Sequence, residues 1–108
     1  MTQSRQQIRE LKRELRNQRA KFIGPRRRLR DWVDKNHAEF WLRSGGNVDE
    51  ALAISKEEAE KAGFGLVEIL LIIELVTVVY KILKAMGLFA IGPEVLAFVR
   101  DEEDEDDE

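Results

Sequence analysis

A chain of 108 residues with a formal net charge of −3 and no cysteine has room for one domain, and neither a disulfide framework nor a thiolate metal site can brace it. With the charged ends set aside, roughly 85 residues remain to build a core. The polar start from Met1 to Gln7 carries no secretory pattern, so a cytoplasmic N-terminus is expected.

The net charge hides an asymmetry. Residues 1–30 hold eleven Lys or Arg against Glu10 and Glu14, a balance of +9, whereas residues 100–108 sum to −7. A basic arm this dense seeks phosphates on nucleic acid or anionic lipid. The run Asp101 to Glu108 repels itself and is expected to be disordered.

In chain order, Ile8, Leu11, Leu15 and Phe22 take heptad seam positions, with Gln18 in the remaining one, and predict an amphipathic basic helix within residues 1–23. Glu14 and Arg19 have the g-to-e spacing of a coiled coil. Fewer than three heptads favour packing against the next helix of the same chain. Gly24-Pro25 ends this helix and starts another, where Leu29, Trp32, Val33, Phe40 and Trp41 recur at helical spacing before Gly45-Gly46. Asn47 can cap a third helix, about Val48 to Ala62, with Glu50 at the capping-box position; Ser55 with Glu58 offers the same arrangement again within it. These two helices make an amphipathic region over residues 25–62.

Residues 64–92 hold the most apolar stretch. Leu66 to Ile91 as one helix would reach about 39 Å, long enough for a bilayer. Its aliphatic side chains favour insertion by roughly 6 kcal/mol, and Glu74 near the centre opposes it by about 2.5 to 3.5. Glu68, Lys81 and Lys84 bring the balance close to neutral. Glu74, Thr77, Lys81 and Lys84 form one narrow stripe, expected to face a partner helix, an aqueous seam or, in a small bundle, water. Three thin flanking helices look insufficient to cover so broad an apolar surface, which favours membrane association over a soluble core. Residues 93–108 are a short apolar piece, Val95 to Val99, and the acidic tail.

The cations Arg5, Arg9, Lys12, Arg13, Arg16, Arg19, Lys21, Arg26, Arg27, Arg28 and Arg30 are the strongest chemical signal, because guanidinium forks suit phosphate oxygens. No recognisable nucleic-acid-binding motif frames them. His37 lies on the apolar face of the second helix and is expected to pack there; with no partner nucleophile or cysteine, no catalytic residue, metal or cofactor is assigned. Trp32 and Trp41 read as core.

Gly45-Gly46-Asn47-Val48-Asp49-Glu50-Ala51-Leu52 resembles the stretch that opens the last helix of ubiquitin-associated domains. The likeness covers eight residues and lacks that family's upstream loop. A capped helix start accounts for it, and no ubiquitin binding is assigned.

The expectation is an all-α protein: a small set of amphipathic helices, one long apolar helix that could lie in a membrane, and a disordered acidic tail. Its function reads as that of a non-enzymatic structural or interaction protein. It would associate with a membrane or with its own copies through residues 66–91, and with nucleic acid or anionic lipid through residues 5–30. A virion or phage component would suit this plan. The alternatives are a soluble oligomeric adaptor or nucleic-acid-associated subunit, and a holin-like pore with Glu74 and Lys81 lining water.

Overall fold

Glycine and proline divide the chain where their chemistry requires. In the computed structural model, which describes residues 5–87, they separate four helices: α1 Arg5–Ala20, α2 Arg27–Ser44, α3 Val48–Lys61 and α4 Leu66–Ala85. A single 3₁₀ turn, Gly24–Arg26, joins α1 to α2 and carries Pro25 in its first residues, where a missing N–H costs nothing. Gly45 closes α2 in the left-handed region at φ 68°, and its N–H donates to the Leu42 carbonyl. Asn47 caps α3 as its sequence spacing predicts, its Oδ1 accepting from the Glu50 N–H at 2.8 Å. Ser55, which offers the same arrangement within this helix, caps nothing. It sits mid-helix and donates to the Ala51 carbonyl.

α4 is the centre of the bundle, packed by each of the other three helices. Gln7 and Glu10 near the start of α1 line a groove with Lys84 and Ala85 at the end of α4, so these two helices run antiparallel. Val48 lines the same groove, which sets α3 antiparallel to α4 as well. Trp32 meets Phe64 at 5.4 Å and Arg28 ion-pairs Glu68, so α2 runs alongside α4 in the same direction. The chain thus goes down, up, down and up, with short connections typical of such bundles.

Three flanking helices do cover the apolar helix. Ile72, Leu75, Val76, Val78, Val79, Tyr80, Ile82 and Leu83 are all buried, on positions that leave only one strip of α4 uncovered. Trp41 stacks on Tyr80 at 5.5 Å, and Ser55 hydrogen-bonds the Tyr80 hydroxyl at 2.7 Å. Burying each such large apolar side chain stabilises the fold by roughly 1.5 to 3 kcal/mol.

Several expectations change. α4 ends at Ala85, where the chain turns at Met86-Gly87, and the last part of the predicted helix, residues 88–91, lies outside the described residues. Among the described residues no helix is long and apolar enough to cross a membrane; Glu68, Glu74, Lys81 and Lys84 interrupt the only candidate. α1 packs chiefly on α4, not on the next helix, since the buried Leu15 has the broader apolar surface there to meet. The apolar piece Val95 to Val99 and the acidic tail lie outside the described residues.

Candidate functional site

Arg5, Arg9 and Arg13 follow one another at four-residue intervals along α1, about 6 Å apart in rise, and all three are exposed. Lys12 and Arg16 fall on the same face at three- and seven-residue offsets and are half-buried. The ridge faces outward because Leu15, on another face of the helix, is fully buried. Glu10 and Glu14 sit on a different flank, toward α4. Five cations therefore share one helix face with no acid among them.

Arg19 does not belong to that ridge. It is only 2% exposed and grips Asp34 of α2 as a fork, Nη1 to Oδ1 at 2.5 Å and Nη2 to Oδ2 at 2.9 Å. Arg30 donates to the Arg19 carbonyl at 3.4 Å and is half-buried. Arg19 is thus committed to the core, where it ties α1 to α2, and Glu14 is not its partner. Asp34 escapes a sequence reading of sites. Its signal was its place between Val33 and His37, at the border of an apolar stripe.

Lys21, Arg26, Arg27 and Arg28 are exposed on the turn and at the start of α2. Arg28 ion-pairs Glu68 and lies over the Phe64 ring at 5.1 Å, so it pins the start of α2 to the start of α4. Arg27 stands 4.0 Å from Asp31. Four of the six exposed large apolar side chains among the described residues lie at this same end: Leu66 at 72%, Val67 at 69%, Ile23 at 67% and Leu70 at 57%. Leu66, Val67 and Leu70 continue, toward the start of α4, the strip that later carries Glu74, Thr77, Lys81 and Lys84.

That polar stripe faces outward: Glu74, Lys81 and Lys84 are exposed, and the half-buried Thr77 donates to the Ile73 carbonyl at 2.6 Å. Lys81 and Lys84 form one wall of an open groove of about 450 Å³, Glu10 and Glu14 the other, over a floor of Leu11, Val48 and Ala85.

His37 is fully buried, with Nδ1 2.8 Å from the Val33 carbonyl, so Nδ1 carries the proton and Nε2 is the acceptor. Nε2 has no hydrogen-bond partner among the described residues. Burial pushes the imidazole below its usual range; Arg19 adds to that, while the Val33 carbonyl and Asp34 oppose it. No group of three or more His, Asp or Glu among the described residues could hold a metal ion. No known protein family, curated protein or solved structure matches the chain.

Proposed function

We propose that this chain is a non-catalytic interaction module whose first helix binds phosphate-bearing partners. The single observation that supports the reading is the ridge of Arg5, Arg9, Lys12, Arg13 and Arg16 on one outward face of α1, with no acidic residue on that face. The exposed guanidinium groups of Arg5, Arg9 and Arg13 can each take a phosphate oxygen pair, and with Lys12 and Arg16 beside them they create a field that anionic partners follow. The cations of the turn, Lys21, Arg26 and Arg27, extend the field toward the start of α4. A pore of the holin kind is not carried forward, because it needs a spanning helix that the described residues do not provide.

Two probes test the reading, a short single-stranded oligonucleotide and vesicles containing phosphatidylserine. Affinity should fall linearly in log units against log salt as counterions are released. Reversing Arg9→Glu and Arg13→Glu together should weaken binding at least tenfold at low salt and flatten that slope. Truncating the arm would be uninformative, since Leu15 and Arg19 belong to the core. The reading fails if the double reversal binds both probes as the parent does, or if the parent binds neither.

A further inference from the structure

We infer that the phosphate-bearing partner is an anionic bilayer surface, and that the protein docks on it end-on through Ile23, Leu66, Val67 and Leu70, with Lys21, Arg26 and Arg27 at the headgroups. This rests on the phosphate-binding reading and names its partner. Those four side chains are between 57% and 72% exposed, at the end of the bundle where α1 hands over to α2 and where α4 begins. Lys21, Arg26 and Arg27 stand exposed on the same connection. Apolar side chains that enter the acyl boundary beneath cations that stay among the headgroups make the pattern by which peripheral proteins hold an anionic membrane.

Two competing occupants fit worse. A single-stranded nucleic acid would want exposed aromatic faces for its bases, yet Trp41, Tyr80, Phe22 and Phe40 are buried, and Trp32 is packed between Phe40 and Phe64. A second copy meeting this patch about a two-fold axis would bring Lys21, Arg26 and Arg27 toward their own equivalents, and like charges at a poorly hydrated seam oppose that contact.

The outward strip of α4 also limits how deep the protein can sit. It is apolar only as far as Leu70 and turns polar at Glu74, one helical turn further on. Docking is therefore shallow: the first turn of α4 and the cations of the connection, Lys21, Arg26 and Arg27, meet the surface, while Lys81, Lys84 and the α1 ridge beside them stand clear of it, and the ridge acts on the surface through its field. The positive end of the helix macrodipole points the same way, toward the phosphates.

The test compares three proteins: the parent, the triple variant Leu66→Ser/Val67→Ser/Leu70→Ser, and the arm reversal Arg9→Glu/Arg13→Glu. Each is titrated with neutral phosphatidylcholine vesicles, with vesicles containing phosphatidylserine, and with a short oligonucleotide; helicity and sedimentation are measured alongside. The parent should prefer the anionic vesicles. The triple variant should lose vesicle affinity by at least about tenfold and keep its oligonucleotide binding and its helicity, because the three residues replaced are exposed. Unchanged vesicle binding by the triple variant overturns the lipid inference while leaving the phosphate reading intact. So does a parent that self-associates through this patch and dissociates on its removal. If the arm reversal leaves oligonucleotide and vesicle binding untouched, it is the phosphate reading that falls, and this inference with it.

Discussion

Arg19 of α1 and Asp34 of α2 meet inside the protein as a two-pronged ion pair, 2.5 and 2.9 Å between donor and acceptor atoms, with the two residues 2% and 7% exposed. The pair joins helices that otherwise touch little, since α1 rests mainly on α4. Two charges out of water gain little net stability when matched, but one left alone is costly. Arg19→Ala or Asp34→Ala should each lower the unfolding free energy by about 3 to 5 kcal/mol in a urea titration. The double variant Arg19→Met/Asp34→Leu should recover most of the loss. A single variant within about 0.5 kcal/mol of the parent would show that the pair is not buried in solution.

His37 gives the fold a dependence on acid. Its folded pKa lies below the ordinary 6.5, chiefly through burial, so below pH 6.5 the unfolded chain takes up a proton that the folded one resists. This contribution is fully present above pH 6.5 and is lost as pH falls from there toward the folded value. Its slope can reach about 1.4 kcal/mol per pH unit. His37→Asn keeps a donor for the Val33 carbonyl without a titrating ring, as Asn36 does for the Trp32 carbonyl one residue earlier. The stability of the parent relative to this variant should therefore shrink steadily between about pH 6.5 and pH 5. A constant difference across that range would mean the imidazole is hydrated.

The helices, their caps and the core character of Trp41 and His37 were legible because they depend on local spacing and punctuation, which one sequence displays. What remained hidden depended on two elements at once. Arg19 reads as one more cation of the arm until α2 brings Asp34 to it, fifteen residues further along. Three flanking helices looked too thin to cover α4, yet each needs to supply only a few side chains, such as Leu15, Trp41 and Ala59, to close one side of it. The apolar start of the outward strip could have been found. Counting back from Glu74 by four, seven and eight residues lands on Leu70, Val67 and Leu66.

The contact between Ser55 and Tyr80 is a second polar link in the core. Ser55 Oγ lies 2.7 Å from the phenol oxygen and donates to the Ala51 carbonyl, so the phenol donates to Ser55. Ser55→Ala would leave that hydroxyl buried without a partner and should cost about 1 to 3 kcal/mol. Tyr80→Phe removes both the need and the group, and should cost less, about 1 kcal/mol, because the stack on Trp41 survives. Burial also raises the phenol's pKa above the ordinary 10.0. Stability from Tyr80 is thus full below pH 10 and declines as pH rises above it, a loss that Tyr80→Phe should abolish in alkaline unfolding experiments.

The outward stripe of α4 allows a sharper distinction between solvent and a partner helix. Glu74 and Lys81 are seven residues, or about 10.5 Å, apart on one exposed face and make no contact with each other within the chain. Lys81, in contrast, lines the groove opposite Glu14 and Glu10 of α1. Glu74→Lys should then change stability by no more than about 0.5 kcal/mol, as exposed substitutions do. Lys81→Glu brings a third acid to a groove that already holds two, and should cost slightly more, up to about 1 kcal/mol at low salt and less at high salt. The coupling should therefore appear between Lys81 and Glu14, with Glu14→Lys/Lys81→Glu recovering the loss. Glu74→Lys/Lys81→Glu should be additive within about 0.3 to 0.5 kcal/mol. Copies assembled through this stripe by crosswise pairs would give the opposite pattern: each single reversal would shift sedimentation toward the monomer, and the Glu74/Lys81 double reversal would restore the assembly.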